Sequence, residues 1–486
     1  MSGVMPDDPL DRLVYLNRPD ANDVKRKSLE IGSDVEIAGR VGEDLHRARG
    51  DIVHAEGHFW CYGDAHWVTI PEHELRLAVH AYDGASFQTP KGDFSRAKLG
   101  KGRVDSVLHE LAAKVEDPCF FERSAIGINC DSGFIRFAHD GHADLEPHDP
   151  DHRCRHVLPG RWSPEVDDTP APGSLLARLL GGVFRGDEDS GAKVDLLAEV
   201  IGGAALGYAT KLRQPRAIIL KGETAENGKS QILDLARGLL PPSAICSVTA
   251  ARMGDERHIV GLVGKLLNAS DELSSATAIA SETFKAVVTG EPVQGRDVYK
   301  SRVEFRPVAQ HLFATNNLPV FAGGMDRGVQ RRLLVIPFNR VIPTEERVES
   351  IGRRIAEDEA DLLLAWAIDG AARLIRNRDF STPATCKATL TDWLYGADPV
   401  LAWLDDRVDV RPIVGDGPKA RTSYAHEQFQ AWAQAEGFKR DMLPAINGFV
   451  QRIKANASGV EYRRTNEGRF FLGMDIRHFT PSPHYP

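Results

Sequence analysis

Ala217-Ile218-Ile219-Leu220-Lys221-Gly222-Glu223-Thr224-Ala225-Glu226-Asn227-Gly228-Lys229-Ser230-Gln231-Ile232-Leu233-Asp234-Leu235-Ala236-Arg237 runs from an apolar strand pattern, through a glycine-bounded turn, into a helical pattern. Strand, glycine turn, Lys-Ser and helix is the order that a phosphate-binding loop needs. The N–H groups of such a turn and of a helix start all point at an anion. On this reading Gly222, Asn227 and Gly228 shape the loop. Lys229 reaches the β- and γ-phosphates of ATP, and Ser230 offers its hydroxyl to Mg²⁺. The spacing departs from the strict motif. Five residues separate Gly222 from Gly228 instead of four, so Glu223 stands where the first glycine is expected.

The rest of the chain sets the frame. Its 486 residues suggest about three domains. An apolar fraction of 42% and a charged fraction of 27% are those of an ordinary globular protein. No apolar run is long enough for a membrane span, and the polar start, Pro6-Asp7-Asp8, carries no secretory signal. Together these predict a cytoplasmic protein without a membrane partner. The net charge of −9 gives no bulk attraction to nucleic acid, so a basic site has to be local. The six cysteines are scattered without a Cys-x-x-Cys pair and read as reduced thiols. His139, His142, His148, His152, Cys154 and His156 fall close together, but their spacing matches no closed zinc pattern. The surrounding Asp and Pro suit an exposed loop.

Composition shifts divide the chain into a polar arm over 1–34, a mixed α/β region over 35–166 and a helical connector over 167–213. An ATPase core over 214–345 follows, with a helical tail over 346–380 and a C-terminal module over 398–480. In the second region His58-Phe59-Trp60-Cys61-Tyr62 and His66-Trp67-Val68-Thr69-Ile70 read as a hairpin, with Trp60 and Trp67 packing across it. Val104, Val107, Leu108, Leu111 and Ala112 mark one face of a helix.

Three further signals follow the loop in order. Leu266-Leu267-Asn268-Ala269-Ser270-Asp271-Glu272 reads as a strand, interrupted by Asn268 and Ser270, that ends in two carboxylates. Asp271 is placed to bind Mg²⁺ and Glu272 to polarise the attacking water. His311-Leu312-Phe313-Ala314-Thr315-Asn316-Asn317-Leu318-Pro319 is a strand delivering Asn316 to the γ-phosphate or the water. Arg331-Arg332 then precede Leu333-Leu334-Val335-Ile336-Pro337-Phe338 and offer an arginine finger. Lys229 to Asp271 is 42 residues and Asp271 to Asn316 is 45. Three strands, each ending in the right polar group, carry more weight together than any one motif.

Asn-Gly-Lys-Ser, Asp-Glu, Phe-Ala-Thr-Asn-Asn-Leu-Pro, Arg-Arg and Ile-Pro-Phe, in that order, resemble a superfamily 3 helicase. More narrowly they resemble the phage and plasmid primase–helicase family. Gly127-Ile128-Asn129-Cys130-Asp131-Ser132-Gly133-Phe134-Ile135 and Pro147-His148-Asp149-Pro150-Asp151-His152-Arg153 resemble the domain preceding the ATPase in that family. The resemblance implies an α/β, AAA+-like P-loop NTPase core in a hexameric ring. ATP and Mg²⁺ would lie at subunit interfaces, single-stranded DNA would thread the channel, and forked DNA would be opened from 3′ to 5′. It also implies that the stretch with Arg296, Tyr299, Lys300 and Arg302 projects into the channel, where cations meet phosphates and tyrosine meets a base or sugar. Only about 35 residues precede the helicase-associated region. The expectation is therefore a helicase without its own primase domain, and a separate primase is a candidate partner.

The C-terminal module reads helix, helix, hairpin, a winged-helix pattern. Tyr424 to Ala435 and Leu443 to Ala455 are the helices, and Thr465-Asn466-Glu467-Gly468 is the turn. From Lys439 to Arg477 eight Lys/Arg face four Asp/Glu, a local net of +4. Arg452, Lys454, Arg463, Arg464 and Arg469 are its candidate DNA contacts. The same residues admit two other readings: an origin-binding replication initiator, and an ATP-switched assembly or defence protein that never unwinds DNA.

Overall fold

The computed structural model describes residues 28–165, 172–271, 273, 278–296, 302–322, 325–413, 417–438, 440 and 443–477. The chain forms two compact units. Among the described residues the first comprises 28–138, 142–165, 296 and 302–305, and the second holds the remainder.

The first unit is mixed α/β. Its helices Asp34–Arg49, Glu72–His80 and Lys101–Lys114 pack around Val41, Leu45, Leu75, Val79, Val104, Val107 and Leu111. The expected hairpin is present as His58–Tyr62 against Trp67–Thr69, with Ile52–Ala55 added as a third strand. Trp60 and Trp67 pack edge-on against Phe121 and Phe120 at 4.7 Å each. A second antiparallel sheet joins Gly127–Cys130, Gly133–Phe137 and Ala143–Glu146. The histidines after it have structural partners. His148 Nδ1 lies 2.9 Å from Asn129 Oδ1, and His152 stacks on Phe134 at 3.9 Å. Burial pushes the Cys154 thiol up to about 12. Among the described residues no group of three His, Cys, Asp or Glu is placed to hold a metal.

The second unit is built on a parallel sheet of five strands. They are β1 (Ala217–Lys221), β2 (Ile245–Cys246), β3 (Leu267–Ser270), β4 (Gln310–Thr315) and β5 (Leu333–Pro337), in the order β2-β3-β4-β1-β5. β3, β4 and β5 are buried along their whole lengths and β1 in all but its last residue, as strands covered on both faces must be. Asn268 does not interrupt β3. It is fully buried and satisfied, accepting from Val248 N at 2.7 Å, donating to Val248 O at 2.9 Å and meeting His311 Nδ1 at 3.1 Å. A polar residue can sit inside a strand when a neighbouring loop and the adjacent strand supply its partners. Burial drops the His311 imidazole to about 4, so this ring is neutral in the folded state at physiological pH.

Helices α1 (Leu175–Val183), α2 (Ser190–Leu206), α3 (Lys229–Gly238), α4 (Ile351–Asp358), α5 (Ala360–Asn377) and α6 (Ala384–Ala397) belong to the same unit. α2 is buried continuously from Leu196 to Leu206. It crosses α5 where two glycines let the backbones meet. A Cβ on Gly370 would lie 1.9 Å from Ala198 O, and one on Gly202 would lie 2.2 Å from Ala367 O. The helical tail runs past its expected end at 380, because α6 continues it to Ala397. No helix among the described residues is long and apolar enough to cross a membrane.

The C-terminal module contains α7 (Pro399–Arg407), β6 (Lys419–Arg421), α8 (Thr422–Ala435), α9 (Ile446–Asn456), β7 (Glu461–Thr465) and β8 (Gly468–Leu472). Its core gathers Trp403, Phe429, Phe449 and Phe471. β6, β8 and β7 form an antiparallel sheet in that order. The hairpin closes through Asn466-Glu467, with Thr465 opposite Gly468, so the turn is two residues long and not four. Sequence periodicity found α8, α9 and the hairpin. It missed α7 and β6, which are too short or too mixed in polarity to stand out.

Gly370→Ala should lower the unfolding free energy by more than about 2 kcal/mol in a urea melt, because the added methyl meets backbone and not a movable side chain. His311 supplies a pH test. The unfolded chain binds its proton near pH 6.5 and the folded chain only near pH 4. Stability is therefore full above about pH 6.5 and declines by about 3 kcal/mol as the pH falls to 4. Melts of His311→Gln across that range should decline less steeply.

Candidate functional site

Lys229 is the centre of the site. It opens α3 immediately after Gly228, whose φ of 89° turns the chain out of the loop and into the helix. The residue is 8% exposed, and its ammonium reaches three oxygens: Gly222 O at 3.2 Å, Asn227 Oδ1 at 2.9 Å and Asn316 Oδ1 at 3.1 Å. All three are neutral, and among the described residues no carboxylate lies within ion-pair distance. Lys193 in the same unit shows the contrast, since its buried ammonium sits 2.6 Å from Asp187 and 3.6 Å from Asp189. Burial lowers the Lys229 pKa, so the charge is held at a cost and has no counter-charge of its own.

The loop is stapled around that charge. Asn227 Nδ2 donates to Thr224 O at 2.7 Å and to Phe338 O at 3.4 Å. Gly222 does not line the cavity. Its N–H donates to Thr315 O at 3.1 Å, and a Cβ there would fall 2.1 Å from Asn227 Nδ2 and 2.6 Å from Lys229 Nζ. It is glycine because the lysine passes over it. Gly228 is similarly confined, with a Cβ meeting Val183 Cγ1 at 2.8 Å. The extra residue between the glycines is taken up by Glu226 in the left-handed region at φ 63°. The N–H groups of Gly228, Lys229, Ser230 and Gln231 have no acceptor among the described residues. A buried cation and a run of unused N–H donors fit the phosphate chain of a nucleotide.

These donors open on a cavity of about 1150 Å³ at the carboxyl end of β1, where open parallel sheets place their ligands. Ser230, Asp271 and Asn316 line it. Asp271 follows β3 and holds an ion pair with Arg237 of α3 at 3.1 Å. Ser230 and Asp271, a hydroxyl and a carboxylate on one cavity wall, suit a hard divalent cation. Glu272 lies outside the described residues. Sequence motifs missed the far wall. Arg178 from α1, Arg185 just after it and Arg347 from the 342–351 segment also line the cavity. Arg347 pairs with Glu226 at 2.6 Å and Arg185 with Glu346 at 3.0 Å. The Arg340 guanidinium and its neighbours hold the Glu346 carboxyl below its usual range. No motif marks these residues, because they come from outside the strand ends.

Arg331 and Arg332 sit at the opposite edge. Leu333 pairs with Ala217 at the amino ends of β5 and β1, so both arginines precede the sheet and do not touch the cavity of their own chain. They differ from each other. Arg332 is buried, with Nη1 on Gly328 O at 2.7 Å, and burial followed by the charge of Arg331 lowers its pKa. Arg331 is exposed.

The expected DNA contacts also separate. Arg296 ends the strand Val293–Arg296 and Arg302 begins Arg302–Phe305, while Tyr299 and Lys300 lie outside the described residues. In the C-terminal module Arg452 is engaged internally, 3.1 Å from Asp398, a carboxylate 4% exposed that also caps α7 through Val400 N at 2.9 Å. Arg463 faces Glu461 at 3.3 Å. Lys454, Arg464 and Arg469 are exposed and have no carboxylate partner among the described residues.

Residues 220–332 match a family described as a family of unknown function, DUF5906. No curated protein matches the chain. Among solved structures the chain is similar to the A-form apo structure of the NrS-1 C-terminal region, with 14% identity and a TM-score of 0.42. That alignment covers 88% of this chain and 96% of that one. It is also similar to the A-form apo structure of residues 305–718 of the same region, at 15% identity and a TM-score of 0.43. There 91% of this chain and 100% of that one are covered.

Arg452→Ala should destabilise the protein by about 2–4 kcal/mol, since it strands the buried Asp398 carboxylate. The check is a urea melt at neutral pH, followed by Tyr and Trp fluorescence.

Proposed function

We propose that this chain is a Mg²⁺-dependent ATP hydrolase of the superfamily 3 helicase type that acts on DNA in the replication of a phage, plasmid or other mobile element. The observation that carries the reading is the Lys229 ammonium, buried among neutral oxygens at the mouth of a large cavity. Such a charge is stable there when a phosphate completes its shell.

In this mechanism the α3 N–H groups and Lys229 bind the β- and γ-phosphates and neutralise charge as the γ-phosphoryl group departs. Asn316, already bonded to Lys229, turns its amide toward the γ-phosphate or the attacking water. Glu272 orients that water. Ser230 and Asp271, which line the cavity, would hold Mg²⁺, and a divalent cation there would supply positive charge to offset that of the phosphates. Asp271 leaves Arg237 to do so. Arg331 is the better arginine finger, because Arg332 is committed to Gly328 O, and it can act only on the site of another copy. That requirement supports a ring of AAA+-like subunits threaded by single-stranded DNA. The hairpin over β7 and β8, with α9 beside it, supports a winged-helix DNA module.

The test is Mg²⁺-ATP turnover with and without single-stranded DNA, for wild type, Lys229→Met and Arg331→Ala. DNA should stimulate wild type. Lys229→Met should lose at least about 100-fold. Arg331→Ala should lose turnover while still binding nucleotide, and should be rescued in part when mixed with Lys229→Met chains. Turnover indifferent to DNA would move the protein to the ATP-switched reading, and unchanged turnover in Lys229→Met would overturn the site.

A further inference from the structure

Arg464 of β7 and Arg469 of β8 are directly opposite each other one pair from the hairpin turn. Two like charges in facing positions repel and weaken a hairpin. Neither guanidinium has a carboxylate partner among the described residues, although Glu461 neutralises Arg463 on the same strand. Strand alternation places the pair. Tyr462 faces Phe471 and Phe471 faces Ala420, and these three point into the core of the module. Arg464 and Arg469 lie two residues nearer the turn and on the same side, where that core has ended. α9 packs over this side, with Phe449 against Phe471 at 6.2 Å and Lys454 Nζ 5.8 Å from the Tyr462 ring. Lys454 of α9 and the pair Arg464 and Arg469 therefore belong to the side of the hairpin that α9 packs over. All three are exposed, and all three stand on regular secondary structure.

We infer that Arg464 and Arg469 form a clamp for a backbone phosphate of double-stranded DNA, with Lys454 of α9 taking a neighbouring phosphate. This rests on the reading of the module as DNA-binding and goes further by dividing its cations into two kinds. Arg452 and Arg463 are already neutralised by Asp398 and Glu461 and serve the fold. The other three await an anion. A phosphate between Arg464 and Arg469 converts a repulsion into two charge-assisted hydrogen bonds. Duplex is favoured over single strand because single-strand sites present bare aromatic faces to the bases. Here the two candidate rings are covered, Tyr462 by Lys454 and Phe470 by Arg421 at 6.0 Å. The clamp itself consists of cations that meet phosphates, so this contact gives affinity without sequence choice.

The experiment is fluorescence anisotropy of a labelled duplex of about 20 base pairs, and of one of its strands, with the full chain and no nucleotide, across a salt series. Wild type, Arg464→Ala/Arg469→Ala and Arg463→Ala are compared. The double variant should lose at least about tenfold in duplex affinity at 0.1 M salt, and its log–log salt slope should fall by roughly 1–2. Its affinity for the single strand should stay within about twofold, as expected if that strand is held elsewhere. Arg463→Ala should change duplex binding by less than about twofold. A thermal melt gives a second readout, since removing facing like charges should leave the melting temperature equal or higher, whereas loss of a structural residue lowers it. Equal losses in Arg463→Ala and the double variant, or an unchanged salt slope in the double variant, would overturn the clamp. A wild type that binds no duplex at all would overturn both the clamp and the DNA role of the module. The ATPase reading is then decided separately by turnover.

Discussion

A buried lysine with no carboxylate partner among the described residues organises this protein. Lys229 can stay charged only because Gly222, Asn227 and Asn316 give it three oxygens, and those oxygens come from three places in the sequence. Gly222 follows β1, Asn227 belongs to the loop and Asn316 follows β4. The parallel register of β1 with β4, which sets Lys221 beside Thr315, brings the last of them into reach. The loop, the sheet order and the glycine at 222 are all conditions for holding that one group in place.

The surrounding ion pairs show how the same principle is used differently. Lys193 and Arg452 carry charges that buried or half-buried carboxylates cancel, and they are fixed parts of the fold, while Arg463 is offset at the surface by Glu461. Lys229 at the cavity, and Arg464 with Arg469 at the hairpin, carry charges that the chain leaves open. The distinction is invisible in net charge, which is −9 for the whole chain. It emerges only when each cation is matched to its partner. Arg347 falls between the two classes. It lines the cavity, yet it pairs with Glu226 and so ties the 342–351 segment to the loop before Lys229.

Much of this was readable in the residues. The strand–turn–helix order around Lys229, the strands ending at Asp271 and Asn316, the helical stretches and the C-terminal hairpin all follow from local periodicity and turn chemistry. Three things did not. Asn268 looked like a break in a strand because its partners, Val248 and His311, are 20 and 43 residues away. The cavity wall from α1 and the 342–351 segment carries no local pattern. The division of Arg452 and Arg463 from Arg464 and Arg469 depends on which carboxylate lies opposite, and adjacent arginines in a sequence do not reveal it.

The polarity of the five-stranded sheet has a consequence for assembly. All its strands run the same way, so the loop bearing Lys229 lies at one edge and Arg331 at the other, roughly 13–17 Å apart by strand rise. A contact that repeats from one edge to the other in a single direction is head-to-tail and uses different surfaces on its two sides. Such a heterologous contact cannot be satisfied by a symmetric pair, because each added copy presents the same unfilled edge as the last. Growth stops only when the final copy meets the first. Whether it does depends on the small rotation between neighbours, so the angle at one interface sets the difference between a closed particle and an open filament.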